Sequence, residues 1–525
     1  MKKIIYSALM LMAGAFISTS CTDDLNQYPH TETTSENVYT SVDNYKAVLA
    51  KIYVSFVIAG QEKGGGDEDI SSNTGYDYMR CYFNMQECGT DEVVYTWLEG
   101  DQMTGLTYLS WDDTDVWVSD TYYRIYYTIA LCNEFLRNAS DDNISSFSDA
   151  DQEEIVHYRA EARFLRALAY SHALDLYQNI PFVTEDDPVG SYTPPRYTGD
   201  QIFEYLESEL KDIDDDLLDR DSCPYGRASQ PAAYALLAKL YLNAEVYTGT
   251  AHYTDCITYC QKVIDEGYTL EEDYGLLFNA DNDNRTNEII YSFPVDATNT
   301  VSWGATTYII CGAISNTSDT MVPSDYGVSS GWSNYRLRSE LPDLFDSADG
   351  RGRFYTEGQT KSIDVVTDQS YGYLSIKWTN LTDDGETASN TDDGGVNTDY
   401  PVFRLADVYL MLAESVVRGG SGSSRSEALG YINDLRERAF GDTSGNITDS
   451  EMTADFILDE RARELYLECT RRTDLIRYDK FTTSDYLWQW KGGTIDGQAV
   501  DSKYNLYPIP STELTANPNL YNENY

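Results

Sequence analysis

The sequence predicts a mainly α-helical protein, a degenerate tetratricopeptide-like scaffold of helix pairs interrupted by a loop-rich, irregular region. Three observations carry this. Apolar stripes at alternating spacings of three and four occur on neighbouring segments. Proline, glycine and capping residues stand at the segment ends. Between residues 271 and 399 the periodicity fades, and Gly, Asn, Asp, Thr and isolated aromatics take over. With 525 residues, 42% of them hydrophobic, the chain can bury a large core.

The chain opens with Met1-Lys2-Lys3, an apolar run from Ile4 to Ile17, the small residues Ser18-Thr19-Ser20, and then Cys21. This reads as a signal peptide over residues 1–20, the run being too short to span a ~30 Å hydrocarbon core. A cysteine directly after the cleavage region reads as the acylated residue of a bacterial lipoprotein; ordinary secretion is the alternative. Several acyl chains on one residue anchor stably, where one is marginal. The mature chain, 21–525, divides into a helical scaffold at about 35–270 and 400–480 and the loop-rich insertion at about 271–399.

Within the scaffold, Ile155, Tyr158, Ala162, Leu165, Ala169, His172 and Leu176 draw one stripe on a long helix. Asp149 or Asp151 caps its start, and Pro181 lies beyond its end. A second helix spans about 201–218, with Ile202, Leu206, Leu210 and Ile213 on one face. Ser229-Gln230-Pro231 opens a third that ends before Gly249, and Tyr253 to Glu266 forms a fourth closed by Gly267. Pro401 opens a helix through Val417; helices at about 425–439 and 454–478 follow. Pairs of this length bury their faces as tetratricopeptide units do, although no strict 34-residue repeat is present. In the insertion, Ile289–Phe293 and Thr307–Cys311 read as short β runs. Loops on a rigid support are where ligand sites concentrate.

Composition narrows the partners. The chain has 37 basic and 87 acidic side chains, for a net charge of −50, which repels phosphate backbones and excludes nucleic acid as a partner. The 45 tyrosines, 16 phenylalanines and 8 tryptophans suit neutral, flat-faced ligands, although core packing absorbs most such rings. After Cys21 the cysteines show no CxxC pair and no zinc spacing with the four histidines. Cys256 and Cys260 share a helix face, as packed thiols or as a disulfide. No nucleophile elbow, phosphate loop or zinc motif appears, so the reading is not an enzyme and no cofactor is required. A glycoside hydrolase, which needs two carboxyls about 5–9.5 Å apart, is the remaining catalytic alternative.

Five separated segments then carry a resemblance: Arg159 to Ala167 with Leu174 to Tyr177, Pro401 to Tyr409, Asp459 to Leu465, Arg471 to Arg477, and Tyr507-Pro508-Ile509-Pro510. Together with the leader they resemble the SusD/RagB family of outer-membrane glycan-binding lipoproteins, over essentially the whole mature chain. Asn243 to Gly249, Leu277 to Asp283 and Tyr486 to Gly493 are similar to the family's starch-binding founder. Asp23-Asp24 after Cys21 resembles the surface-export signal of Bacteroides-group lipoproteins. The resemblance implies a non-catalytic protein, lipid-anchored in the outer membrane and facing the exterior. It would bind starch or maltooligosaccharide, or another polysaccharide on the same scaffold, and partner a SusC-like TonB-dependent transporter.

The resemblance also assigns residues. Trp97, Trp303 and Trp332 match an arc of aromatics that grips α-glucan; burial in the core is the alternative for any one of them. Arg80 matches a hydrogen-bonding arginine, with a structural ion pair as its alternative. Where the founder has an asparagine three residues after the first tryptophan, this chain has Gly100, and the neighbouring Asp101 offers an acceptor instead. Relatives hold an ion near the segment matching Asp281-Asn282-Asp283, so a structural calcium at Asp281, Asp283 and Asp399 is the expectation, against a solvated acidic turn. The EF-hand pattern itself fails, because Arg285 occupies its fifth position.

Overall fold

The computed structural model describes residues 38–63, 69–391, 393–523 and 525; the leader, Cys21 and the acidic pair after it lie outside them. Helices of seven or more residues run α1 Val42–Val54, α2 Tyr78–Glu87, α3 Val116–Asn138, α4 Asp149–Tyr177, α5 Gly199–Asp212, α6 Gln230–Leu242, α7 Tyr253–Asp265, α8 Ala305–Ala313, α9 Leu405–Val417, α10 Arg425–Phe440, α11 Ala454–Leu465 and α12 Arg471–Arg477. Strands of three or more residues are β1 Val93–Tyr95, β2 Ile289–Phe293, β3 Tyr335–Leu337 and β4 Tyr400–Arg404. They pair antiparallel as β1 with β3 and β2 with β4. Contacts run along the helices in sequence, α3 with α4, α4 with α5, α6 with α7, and then α7 with α9 and α9 with α10. This is the expected mainly α, tetratricopeptide-like scaffold, in which each helix buries its stripe against a neighbour.

Local chemistry sets most of the boundaries. The cap of α4 is Ser148, one residue before Asp149, and its side chain accepts from the Asp151 N–H. Thr198 and Gln201 form a capping box on α5. Pro231 stands in the first turn of α6, where its missing N–H costs nothing. Gly249 and Gly267 adopt the positive φ that ends a helix.

Three expectations need correction. Pro401 does not open a helix: Tyr400–Arg404 is strand β4, with Pro401 opposite Ser292, and α9 begins at Leu405. A proline is tolerated in such a two-stranded ladder, so the cue was ambiguous. Thr307–Cys311 is not a strand but the middle of α8, because a short apolar run buried on all sides has no readable period. The helix expected over 454–478 is two, α11 and α12. Leu467 and Cys469 have φ of 60° and 58°, and their N–H groups leave the helical ladder to donate to Glu92 Oε2 at 3.0 Å and Glu87 Oε1 at 2.7 Å.

Around that break lies a buried ionic frame. Glu464 Oε1 accepts from Arg404 at 2.6 Å and from Arg438, while its Oε2 accepts from Arg351 at 3.1 Å. Glu460 accepts from Arg351, Arg436 and Arg463, each at 2.8 Å. Glu468 takes Arg404 at 2.7 Å and Lys377 at 2.6 Å, and Glu288 takes Arg438 at 2.8 Å. Burial pushes these carboxyls up, but the surrounding guanidiniums win: Glu464 lies well below the usual range and Glu460 is held at about 2. Removing one partner strands several buried charges. Glu464→Ala is therefore expected to cost about 3–5 kcal/mol in urea unfolding.

Glu87 and Glu92 are the opposite case. Both are fully buried, their carboxyls hydrogen-bond each other, and burial followed by mutual repulsion pushes Glu87 well above the usual range. Burial likewise raises Glu92, opposed by Arg471. Glu87 Oε2 has no other partner among the described residues, the place a shared proton occupies. The folded state holds this proton more tightly than the unfolded chain. The associated stability is therefore complete below the ordinary glutamate value of about 4.5 and is lost as pH rises above it. Glu87→Gln keeps a donor in place at every pH. Urea midpoints measured between pH 5 and 8 are expected to fall with pH in the parent protein relative to this variant, by the equivalent of about 1–3 kcal/mol.

Candidate functional site

The β1–β3 ladder builds one end of the site. Tyr95 faces Tyr335, and the Thr96 N–H donates to the Asn334 carbonyl at 2.7 Å. Trp97 therefore leaves the ladder at the end where Trp332 enters it. The 332–334 segment is bound to the last turn of α8: the N–H groups of Trp332, Asn334 and Ser333 donate to the carbonyls of Cys311 at 2.7 Å, Gly312 at 2.9 Å and Ile314 at 3.0 Å. These three carbonyls are among the groups a helix end leaves unpaired.

Trp303 comes from just before α8. Asp77, the N-cap of α2, holds it there: Asp77 accepts from the Arg80 N–H at 2.9 Å, the Ser302 hydroxyl, and the Ala305 N–H at 3.2 Å. Burial raises the Asp77 carboxyl above its usual value, and the Ser302 hydrogen bond leads the opposing effects. Gly304 fits because a Cβ there would stand inside that carboxylate. The Trp303 and Trp332 rings then meet edge to face, with centroids 6.0 Å apart at 67°.

Exposure separates these tryptophans from the rest. Trp97 is 45% exposed and Trp303 43%, and Trp332 is half-buried, whereas Trp111, Trp117, Trp378 and Trp488 are at most 3% exposed. Trp490 is half-buried, its indole N–H committed to the Ile363 carbonyl at 2.7 Å. The sequence alone could not have made this division.

Arg80 lies beneath the site. Its guanidinium sits between two tyrosine faces, 3.5 Å from the Tyr76 centroid and 4.2 Å from that of Tyr308, and Nη1 donates to the Trp303 carbonyl at 2.7 Å. It forms no ion pair, the alternative weighed from sequence, and its buried Nε has no partner among the described residues. Arg80 supports the backbone of Trp303 directly. Asp101 is half-buried; its Oδ2 accepts from Tyr95 OH, which in turn accepts from Asn334 at 2.9 Å. Gly100 is exposed, and a Cβ there would meet nothing within 4 Å. Asp77, Tyr76, Tyr308 and Asn334 were not singled out from sequence, because their partners lie more than 200 positions away or on another element.

The acidic residues do not assemble into the expected calcium site. Asp399 is buried, with Oδ1 accepting from the Val295 N–H at 2.6 Å and Oδ2 from Tyr225 OH, and burial raises it to about 7. Asp281 accepts from the Asp383 N–H at 2.8 Å, and Asp283 from Asn284 at 3.1 Å. Among the described residues no group of three His, Cys, Asp or Glu side chains could hold a metal ion. Both oxygens of Asp399 serve protein donors, so the arrangement does not fit the cation. Cys256 and Cys260 are both buried and unbonded, their sulfurs 3.9 Å apart.

Residues 25–242 match a family described as starch-binding and associating with the outer membrane, and residues 352–525 match the SusD family. The starch-binding protein SusD of Bacteroides thetaiotaomicron is 33% identical, over 100% of this chain and 99% of that protein. A SusD-like protein of Bacteroides ovatus is 23% identical, over 98% and 91%. Among solved structures, surface glycan-binding protein A from Bacteroides thetaiotaomicron, in complex with laminarihexaose, superposes with a TM-score of 0.70. The identity there is 19%, covering 93% of this chain and 100% of that one.

The clamp on Trp303 is testable by itself. Gly304→Ala is expected to cost about 1–3 kcal/mol, because the new methyl displaces the Asp77 carboxylate from the turn. Thermal unfolding reads the loss, and a red-shifted tryptophan emission maximum would report increased solvent access at Trp303.

Proposed function

The chain belongs to the SusD family, whose members bind carbohydrate and do not transform it, and on that premise we propose that it captures α-glucan, starch or maltooligosaccharide, on Trp97, Trp303 and Trp332. The observation that carries this reading is the grouping of the two exposed tryptophans and a half-buried third around the β1–β3 ladder and α8. The C–H-rich face of a glucose ring packs on an indole while its hydroxyls stay wet at the edge. Each such platform contributes on the order of 0.5–1.5 kcal/mol beyond area burial, by analogy with aromatic pairs. Asp101 supplies an acceptor beside Trp97, and Arg80 acts by holding the Trp303 backbone. Modest, shape-dependent affinity suits a protein that must release its ligand.

In the same reading, acylated Cys21 holds the protein to the outer membrane, facing outward, and the glycan passes to a SusC-like TonB-dependent transporter. No helix among the described residues is long and apolar enough to cross a membrane. A structural neighbour bound to laminarihexaose makes a β-glucan the second candidate on this scaffold.

Calorimetric titration of the protein beginning after Cys21 tests the reading with maltoheptaose, laminarihexaose and cellohexaose. Maltoheptaose is expected to bind, and Trp97→Ala with Trp303→Ala to weaken it about 5- to 150-fold. Binding of laminarihexaose alone would replace the α-glucan with a β-glucan. Binding of neither would overturn the reading.

A further inference from the structure

Trp97 has a second neighbourhood that Trp303 and Trp332 do not share. Its exposed indole forms one wall of an open groove of about 450 Å³, whose lining also includes Glu99, Gly100, Thr104, Tyr108 and Thr367. That volume falls within the range of small-ligand sites.

The groove is built rather than incidental. Tyr108 is half-buried and backed by the Trp490 ring at 5.9 Å, and a Cβ added at Gly493 would lie 3.8 Å from it. The loop carrying Thr367 is tied down on both flanks. Ile363 donates to Gln489 at 3.0 Å and accepts from Trp490, and the Gln369 carbonyl accepts from Arg336 at 3.3 Å. Tyr108 and the loop carrying Thr367 are thus held in place by the surrounding framework.

The polar groups along the groove are uncommitted. Among the described residues the side chains of Glu99, Thr104, Tyr108 and Thr367 take part in no hydrogen bond or ion pair, although acceptors and donors elsewhere are densely paired. Aromatic walls with free hydroxyls and one free carboxylate match the requirements of a sugar ring, an apolar face and a polar rim. Glu99 also selects by charge: a uronate would meet it like-to-like, in a chain of net charge −50.

We propose that this groove is an additional subsite for neutral glycan, in which a chain seated on Trp303 and Trp332 continues past Trp97 onto Tyr108. Glu99 and Thr367 hydrogen-bond the hydroxyls of the extending units. The proposal rests on the aromatic arc being the glycan site. It adds that affinity depends on chain length through residues outside that arc.

Titration with maltotriose and maltoheptaose separates the two. The parent protein is expected to bind maltoheptaose about 2- to 12-fold more tightly than maltotriose. Tyr108→Ala should abolish that difference while leaving maltotriose affinity unchanged. Gly100→Trp should do the same by filling the groove, at a position where added atoms meet no neighbour; it serves as the check if Tyr108→Ala unfolds. If the β-glucan series is the ligand, laminaritriose and laminarihexaose take the same places. Variants that keep the full length dependence overturn the subsite and leave the arc intact. Absence of binding by the parent protein overturns both.

Discussion

The frame around Glu464 is the constraint on which the rest of the structure depends. One carboxylate on α11 accepts from arginines on β4, on α10 and in the loop after β3, so elements distant in sequence are joined at a single buried point. Taking so many charges out of water is costly, and the cost is offset only when every guanidinium and carboxylate finds its partner together. That all-or-none requirement locks the α9–α11 helices to β4. Through the β2–β4 ladder it also locks them to the start of the loop-rich region. The acidic excess of the chain is thereby divided: carboxylates within the frame are matched, and those on the surface remain solvated.

From this frame the site is reached through short, rigid steps. The break between α11 and α12 directs two N–H groups at Glu87 and Glu92, which end α2 and precede β1. β1 presents Trp97 at its end. α2 begins at Asp77, whose one carboxylate caps the helix and clamps the turn that carries Trp303. The candidate site thus takes its shape from helix termini and a two-stranded ribbon of three residue pairs. Its platforms are on loops, but the loops have little freedom. Pre-organisation of this kind lowers the ordering cost of binding, which matters when each sugar contact is weak.

The chemistry of the face fits capture rather than reaction. Arg80 is turned inward between Tyr76 and Tyr308 and spends a hydrogen bond on the Trp303 carbonyl. The ligand is left with indole faces, a carboxylate at Asp101 and wet edges. In the proposed reading such a surface suits the shape of a neutral chain and repels acidic ones.

Much of the scaffold was legible in the sequence, because helix stripes, caps and end glycines are short-range signals: the boundaries of α4, α7 and α10 and the start of α6 follow from residues within a turn or two, whereas α5 ends at Asp212 rather than near 218 and α6 at Leu242 rather than just before Gly249. Where cues were ambiguous the reading failed. Pro401 serves a strand as readily as a helix start, and the apolar run at Thr307–Cys311 has no period of its own. The break at Leu467 and Cys469 is dictated by carboxylates more than 370 positions away. The candidate tryptophans came from a resemblance, and nothing local distinguishes Trp97 from the buried Trp111 or Trp117. By itself the sequence determined most of the scaffold helices, how acidic the chain is and which family motifs it carries, since these depend on neighbours along the chain. Only the tertiary structure decided which rings face water, that Arg80 supports the Trp303 backbone, and that Asp281, Asp283 and Asp399 spend their oxygens on protein donors. Those outcomes depend on contacts between residues far separated in sequence, which no local pattern encodes.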